Sequence, residues 1–248
     1  MRLLALLLIL PLLSGCGEEP VLPPAEPLQV TREVIERLYG VLPGPHKVVS
    51  ERGLTLPESG ERREITFNLY YPEEGEGYPL LLFSHGNWSN RDSYDRVIEH
   101  WVSHGYTVIA PDHLDCCSMA SGIIASLRHG QYGLIEARTI DLGALLSALP
   151  EIETLSANFS GKYDPARLAM TGHSFGAFSA QQFGGAAAFD PDRDAYFDAF
   201  DPRVKAILAL SPPGPMFDTI TEDSWNKLRL PTLATTGTRD VQKGFWPE

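Results

Sequence analysis

The pentapeptide Gly172-His173-Ser174-Phe175-Gly176 constrains the fold of this chain more than any other stretch. An apolar run at residues 167–171 precedes it and small residues at 177–180 follow it, a pattern typical of strand, sharp turn and helix. Glycine on either side of the serine removes Cβ atoms that would collide with the adjoining strand and helix. We therefore expect Ser174 to stand in a strained turn, its hydroxyl projecting from a sheet and facing a helix N-terminus. The alternative is a small-residue turn with a structural serine.

The bulk composition is that of one globular domain. The chain has 248 residues, of which 43% are hydrophobic and 21% charged, values that are ordinary for a protein with a sizeable core. The net charge of −12 argues against a nucleic-acid partner, because phosphate binding requires a basic surface.

The N-terminus predicts export. Arg2 precedes an apolar run at residues 3–13, which is too short to span a bilayer and is typical of a signal peptide over residues 1–15. Leu13-Ser14-Gly15-Cys16 resembles the bacterial lipobox, which implies an acylated Cys16 as the first mature residue; the alternative is an ordinary secreted protein. Gly17, rather than aspartate, favours the outer membrane in a Gram-negative source. Residues 16–30 are rich in proline and predict an extended tether, and residues 31–248 form the domain.

Two further cysteines, Cys116 and Cys117, are adjacent in sequence. A bridge between neighbours closes a strained eight-membered ring, so we expect two small, partly buried thiols. No cysteine or histidine spacing indicates a zinc site.

Apolar runs and helical periodicity alternate along the domain. Strands are predicted at 48–49, 64–71, 80–83, 107–110, 167–171, 204–210 and 230–236. Helices are predicted from Thr31, from Asp92 or Ser93, and around Leu142, and the long segment 112–130 indicates a functional loop or an inserted helix. This order predicts a mostly parallel sheet covered on both faces, with a site at the carboxyl ends of its strands. The loops 85–87, 172–176 and 237–240 meet there.

Four stretches carry a resemblance to a known fold: residues 82–87, 101–113, 172–176 and 231–240. Together they resemble the α/β-hydrolase fold, and within it the dienelactone-hydrolase-like group. That group includes bacterial lipoprotein hydrolases, platelet-activating-factor acetylhydrolases and cutinase-like polyester hydrolases. The resemblance spans residues 64–240 and implies a mostly parallel, doubly wound sheet flanked by helices.

The resemblance assigns roles to four residues. It implies that Ser174 is the nucleophile, that the backbone N–H groups of Asn87 and Phe175 form the oxyanion hole, and that Asp240 orients the catalytic histidine. Asp240 as a surface turn residue is the alternative. The chemistry is acyl transfer from an ester through an acyl-enzyme and needs neither a metal nor an organic cofactor.

The histidine departs from the pattern of this fold, which orders its triad as serine, acid, histidine. The last of the seven histidines is His173, inside the serine turn, and none follows Asp240. We expect His173 to point away from the serine and His85 to brace the oxyanion loop. The catalytic histidine is then expected beyond Glu248, with the last strand and helix missing and little turnover by this chain. The alternative bases are His113 and His129.

The function that follows is a serine-dependent carboxylic ester hydrolase, lipid-anchored outside the cytoplasm, with a small-molecule, lipid or polyester substrate. An amidase or peptidase of the same fold would use the same residues. A non-catalytic lipoprotein that keeps the fold for binding is the third possibility.

Overall fold

The computed structural model describes residues 31–33, 42–58, 63–238 and 240. The predicted signal peptide, Cys16, the proline-rich tether and most of the helix expected after Thr31 lie outside the described residues, so those predictions and the domain boundaries remain predictions. No helix among the described residues combines the length and the apolar character needed to cross a bilayer.

The elements alternate much as the sequence predicts. The strands are β1 (Val48–Leu56), β2 (Ile65–Pro72), β3 (Tyr78–Ser84), β4 (Thr107–Pro111), β5 (Tyr163–His173), β6 (Ala187–Asp190), β7 (Ala195–Asp198), β8 (Val204–Leu210) and β9 (Thr232–Thr235). The α-helices are α1 (Asp95–Ser103), α2 (Met119–Ser147), α3 (Leu149–Leu155) and α4 (Phe175–Gln182), and two short 3₁₀ helices span Phe217–Thr219 and Glu222–Trp225.

Seven strands form one sheet in the order β1-β2-β4-β3-β5-β8-β9. The first two pairings are antiparallel, and β4, β3, β5, β8 and β9 run parallel. Parallel neighbours end at the same edge of the sheet, so the loops after β3, β5, β8 and β9 lie side by side.

Both faces of the sheet are covered, which explains the continuous apolar runs of its central strands. Leu80 and Leu82 pack in the same cluster as Leu142, Leu145 and Leu146 of α2. Leu81 and Phe83, which alternate with them along β3, pack with Ile98 and Val102 of α1 on the opposite face. The mostly parallel, doubly wound sheet predicted from the sequence is confirmed.

Two local features differ from the expectations, and a third decides between two alternatives. Helix α1 begins at Asp95, after a hydrogen-bonded turn at residues 90–95. The inserted helix is present as the first part of α2, which kinks at Gly130, where φ is +66°. The β6–β7 hairpin, outside the main sheet, was not predicted, because its four-residue strands are too short for a periodic signal.

The prediction of two separate thiols is wrong. Cys116 and Cys117 form a disulfide in the turn that leads from β4 into α2. Sequence adjacency raised the expected cost of the ring, but it also brings the two sulfurs together without closing a long loop.

Candidate active site

Ser174 occupies a strained turn between β5 and α4. Its backbone has φ +52° and ψ −122°, outside the regions that residues with a side chain normally populate. The turn is held by the Ser174 N–H, which donates to the carbonyl of Leu210 at 2.9 Å. A Cβ on Gly172 would lie 2.4 Å from the carbonyl oxygen of Gly176 and 2.7 Å from that of Ser84. Both the strained serine and the reason for the flanking glycine are therefore confirmed.

The loop after β3 lies directly against this turn. A Cβ on Gly176 would stand 2.2 Å from the Ser84 carbonyl oxygen and 2.5 Å from that of His85. A Cβ on Gly86 would meet His173 Nδ1 at 2.9 Å. Only glycine permits this approach, so the sequence brings residues 84–87 to the serine by removing side chains from the contact.

Within the part of the chain that the structure describes, two backbone donors remain free where the resemblance expects an oxyanion hole. Phe175 is the first residue of α4, where an N–H group has no intrahelical acceptor. Across the described ranges, neither the Phe175 N–H nor the Asn87 N–H donates to another protein group. Free, preorganised N–H groups beside a strained serine can stabilise a developing oxyanion.

Asp240 reaches the same edge of the sheet through the loop after β9. Its carboxylate accepts a hydrogen bond from Thr236 Oγ1 at 2.8 Å, and hydrogen bonds from Ser211 and Thr236, with the nearby His173, lower its pKa. Ser211 follows Leu210, whose carbonyl binds the Ser174 N–H. The ionised, exposed Asp240 is thus linked to the serine turn through the end of β8.

His173 is hydrogen-bonded to Tyr94 beside the loop after β3. Tyr94 Oη accepts from the Gly86 N–H at 3.1 Å, so its hydroxyl hydrogen is free to donate to His173 Nδ1 at 2.8 Å. Burial lowers the pKa of the His173 imidazole, and the charge of Asp240 acts in the opposite direction.

His113 is committed elsewhere, so the alternative that it serves Ser174 as a base gains no support. Its Nε2 accepts from Ser84 Oγ at 2.9 Å and its Nδ1 donates to Asp141 Oδ2 at 2.9 Å. All three residues are at most 1% exposed. This serine–histidine–aspartate chain has the connectivity of a catalytic triad but no access for a substrate. The other alternative, His129, is exposed and lines a cavity of about 350 Å³ with Tyr132.

A buried ion pair lies beneath the loop after β3, residues 84–87, which is called the oxyanion loop after the role that the resemblance implies for it. Arg138 Nε and Nη2 donate to the two oxygens of Asp115 at 2.9 and 2.7 Å, and both side chains are fully buried. Burial opposes ionisation of Asp115, yet Arg138 outweighs it and holds the Asp115 pKa far below its usual range. Burial, followed by the charge of Arg138, lowers the pKa of the neighbouring His85 well below 6.5.

The sequence reasoning missed this network, although α2 carries a signal for it. Arg138 and Asp141 fall on the helical stripe that includes Leu134, Leu142 and Leu145, all of them buried. Charged residues on the apolar face of a helix require partners inside the protein. His85 does brace the loop, as expected, because its Nε2 accepts from the His113 N–H at 3.1 Å.

Comparison with known proteins agrees with this geometry. Two curated relatives match at low identity: Cutinase est1 of Thermobifida alba, 25% identical over 209 residues, and Chlorophyllase-1 of Arabidopsis thaliana, 32% identical over 116 residues. These matches cover 84% and 46% of this chain, which spans 57% and 32% of the respective relatives. The family model of chlorophyllase matches residues 58–184, just over half of the chain, including the oxyanion loop and the serine turn but not Asp240. With its mostly parallel, helix-flanked sheet, the chain has the α/β-hydrolase fold and belongs to the chlorophyllase family.

Proposed function

We propose that the protein is a serine-dependent carboxylic ester hydrolase. The observation that carries the proposal is the strained Ser174 turn beside two unbonded backbone N–H groups. Both curated relatives have names that designate enzymes acting on esters, which favours an ester over an amide substrate.

In the proposed mechanism, Ser174 Oγ attacks the ester carbonyl and passes its proton to a histidine base. The negative charge that forms on the carbonyl oxygen is stabilised by the N–H groups of Phe175 and Asn87. The alcohol leaves, and water then hydrolyses the acyl-enzyme by the same route. Asp240, ionised at neutral pH because its pKa is lowered, would orient the histidine and stabilise its charged form.

The histidine itself is part of the proposal. His85, His113 and His173 are hydrogen-bonded to other groups of the fold. His129, the other alternative, lines a cavity whose lining residues do not include Ser174. We therefore propose that the base is supplied from sequence beyond Glu248, in keeping with the greater length of both relatives.

We also propose that Cys16 is acylated and holds the enzyme on the outer face of the cell envelope, the outer membrane in a Gram-negative source. The support is the lipobox-like stretch directly after an apolar leader. If a Cys16→Ala variant takes up as much labelled palmitate as the wild type, the proposed anchor is contradicted.

Hydrolysis of p-nitrophenyl butyrate by the full-length protein tests the catalytic role of Ser174. We expect Ser174→Ala to lower kcat by about 10⁴-fold or more, because the nucleophile is removed. It should also abolish labelling by a fluorophosphonate probe.

Ser147→Ala is the matched control, since Ser147 is an exposed serine near the end of α2. It should keep full activity and labelling. Hydrolysis that survives Ser174→Ala at the wild-type rate would rule out the proposed function.

A further inference from the structure

We infer that Arg138 is a positioning residue that, together with His85, aims the Asn87 N–H into the oxyanion hole. This inference rests on the proposed function. It adds Arg138, to which the sequence assigns no role, and says which group of the loop His85 holds. Arg138 lies in α2, buried beneath the loop that follows β3.

Arg138 donates hydrogen bonds to two consecutive carbonyl groups of that loop. Its Nη1 donates to the carbonyl oxygen of His85 at 2.6 Å, and its Nη2 donates to that of Gly86 at 3.3 Å. Asp115 holds the same guanidinium through two hydrogen bonds. A planar guanidinium fixed on one side by a carboxylate presents its remaining N–H groups in a set direction.

Fixing the Gly86 carbonyl fixes the Asn87 N–H, because both belong to one peptide unit. A trans peptide is planar, and its C=O and N–H bonds point in opposite directions. Donors that hold the Gly86 oxygen from beneath the loop therefore turn the Asn87 N–H away from the protein interior.

His85 provides a second grip on the same oxygen. Because His85 Nε2 accepts from the His113 N–H, its proton lies on Nδ1, which donates to the Gly86 carbonyl at 2.7 Å. The Ser89 N–H adds a third hydrogen bond to that oxygen at 3.2 Å. An acceptor held by three donors leaves the peptide little freedom to rotate.

The N–H groups on either side of the Asn87 N–H already have hydrogen-bond acceptors. The Gly86 N–H donates to Tyr94 Oη at 3.1 Å, and the Trp88 N–H lies 3.4 Å from Asp115 Oδ2. The Asn87 N–H between them has no acceptor among the described residues and stays free for a ligand. This pattern is what a loop built to present one donor requires.

Arg138 also contacts the other half of the oxyanion hole. Its guanidinium lies over the Phe175 ring, 4.9 Å from the ring centre. One side chain therefore contacts the Phe175 ring and the Gly86 carbonyl, whose peptide unit carries the Asn87 N–H, which couples the spacing of the two donors.

Arg138→Lys in the full-length protein tests the inference. Lysine keeps the positive charge beside Asp115, but a single ammonium cannot bridge that carboxylate and both carbonyls. We expect kcat for p-nitrophenyl butyrate to fall about 10- to 100-fold per active site, with KM within about twofold, because a misaimed donor is felt mainly in the transition state. The inhibition constant of a phenylboronic acid, whose serine adduct is tetrahedral, should rise by a similar factor.

Arg63→Lys is the matched control, since Arg63 pairs with Asp141 of the same network without touching the loop carbonyls. It should leave kcat unchanged. Titration of active sites with a fluorophosphonate separates the two explanations of any loss. If Arg138→Lys lowers only the fraction of titratable sites and the rate per site is intact, the role of Arg138 is structural and the inference is overturned. An unchanged kcat would also overturn it.

Two substitutions of His85 keep the inference testable if Arg138→Lys does not fold. His85→Gln places an acceptor near the Nε2 position and loses the donor to Gly86, whereas His85→Asn keeps a donor near Nδ1 and loses the acceptor. We expect the Gln variant to lose more kcat than the Asn variant. Equal losses would overturn the inference, while activity that persists in Ser174→Ala would instead refute the proposed function.

Discussion

The two sides of the candidate site are built in different ways. The oxyanion loop rests on fully buried charged and polar side chains, Arg138, Asp115 and His113. The other side, called the acid side for its proposed role, consists of the exposed Asp240 on the loop after β9. Among the described residues β9 is one of the two edge strands of the sheet, and Leu233 in it is 65% exposed. The oxyanion loop packs directly against the Ser174 turn, and the end of β8 links Asp240 to the same turn.

The two sides are built differently because one must supply fixed geometry and the other must supply a charge. Oxyanion stabilisation needs donors fixed before the substrate arrives, and a satisfied buried network supplies that rigidity. An orienting carboxylate needs only to stay ionised and within reach of its partner. Asp240 meets the first condition through hydrogen bonds from Ser211 and Thr236, which lower its pKa without burial.

The buried Ser84–His113–Asp141 chain sharpens the same point. It has the connectivity of a triad, yet each member is at most 1% exposed, and Ser84 Oγ also accepts from Arg138 at 3.2 Å. Its hydrogen bonds fix the base of the oxyanion loop. Connectivity alone therefore does not identify the nucleophile; access and backbone strain point to Ser174.

In the comparison of the two sides, the largest expected effect is a loss of kcat on the acid side. Asp240→Asn in the full-length protein should lower kcat by about 10³- to 10⁴-fold, because the imidazole loses the partner that orients and charges it. The thermal midpoint should stay unchanged, since the carboxylate is exposed. Kinetics and thermal unfolding measured on the same preparation check both statements, and near-wild-type hydrolysis would move the acid elsewhere.

The sequence predicts much more of the acid and serine loops than of the network. Ser174 and its glycines obey a local steric rule, and the strand runs before residues 172 and 237 place their loops at one sheet edge. Arg138 and Asp115 are 23 positions apart and meet only through the packing of α2. A charge on an apolar helical stripe reveals that a partner exists, but not which one.

The next effect is on the buried side. There the same change, aspartate to asparagine, should lower the stability of the protein, which Asp240→Asn leaves unchanged. Asp115→Asn leaves the fully buried Arg138 without its carboxylate, and breaking a buried pair in this way costs about 3–5 kcal/mol. Urea unfolding followed by circular dichroism should show this loss in the free energy of unfolding. A loss below about 1 kcal/mol would mean that the network does not carry the stability of the loop.

The smallest effect is the pH dependence that distinguishes the two sides. Burial lowers the pKa of both His85 and His113 in the folded protein. It also lowers the pKa of His173, against the charge of Asp240, so His173 contributes with the same sign. The unfolded chain takes up protons on these residues below about pH 6.5 while the folded state does not, so stability falls as the pH drops through that value. Asp240, with its lowered pKa, does not titrate in this range, and its charge acts only by raising the pKa of His173.

Urea unfolding at pH 7.5 and 5.5 measures this effect. We expect the free energy of unfolding to fall by about 1 kcal/mol for each of the two histidines. His113→Gln should remove one of these contributions. Asp240→Asn should not reduce the difference between the two pH values, because the charge of Asp240 raises the pKa of His173 and its loss makes that imidazole harder to protonate. If wild-type stability is equal at both values, the histidines are not held neutral, and the hydrogen that we place on His85 Nδ1 and aim at the Gly86 carbonyl would need to be reassigned.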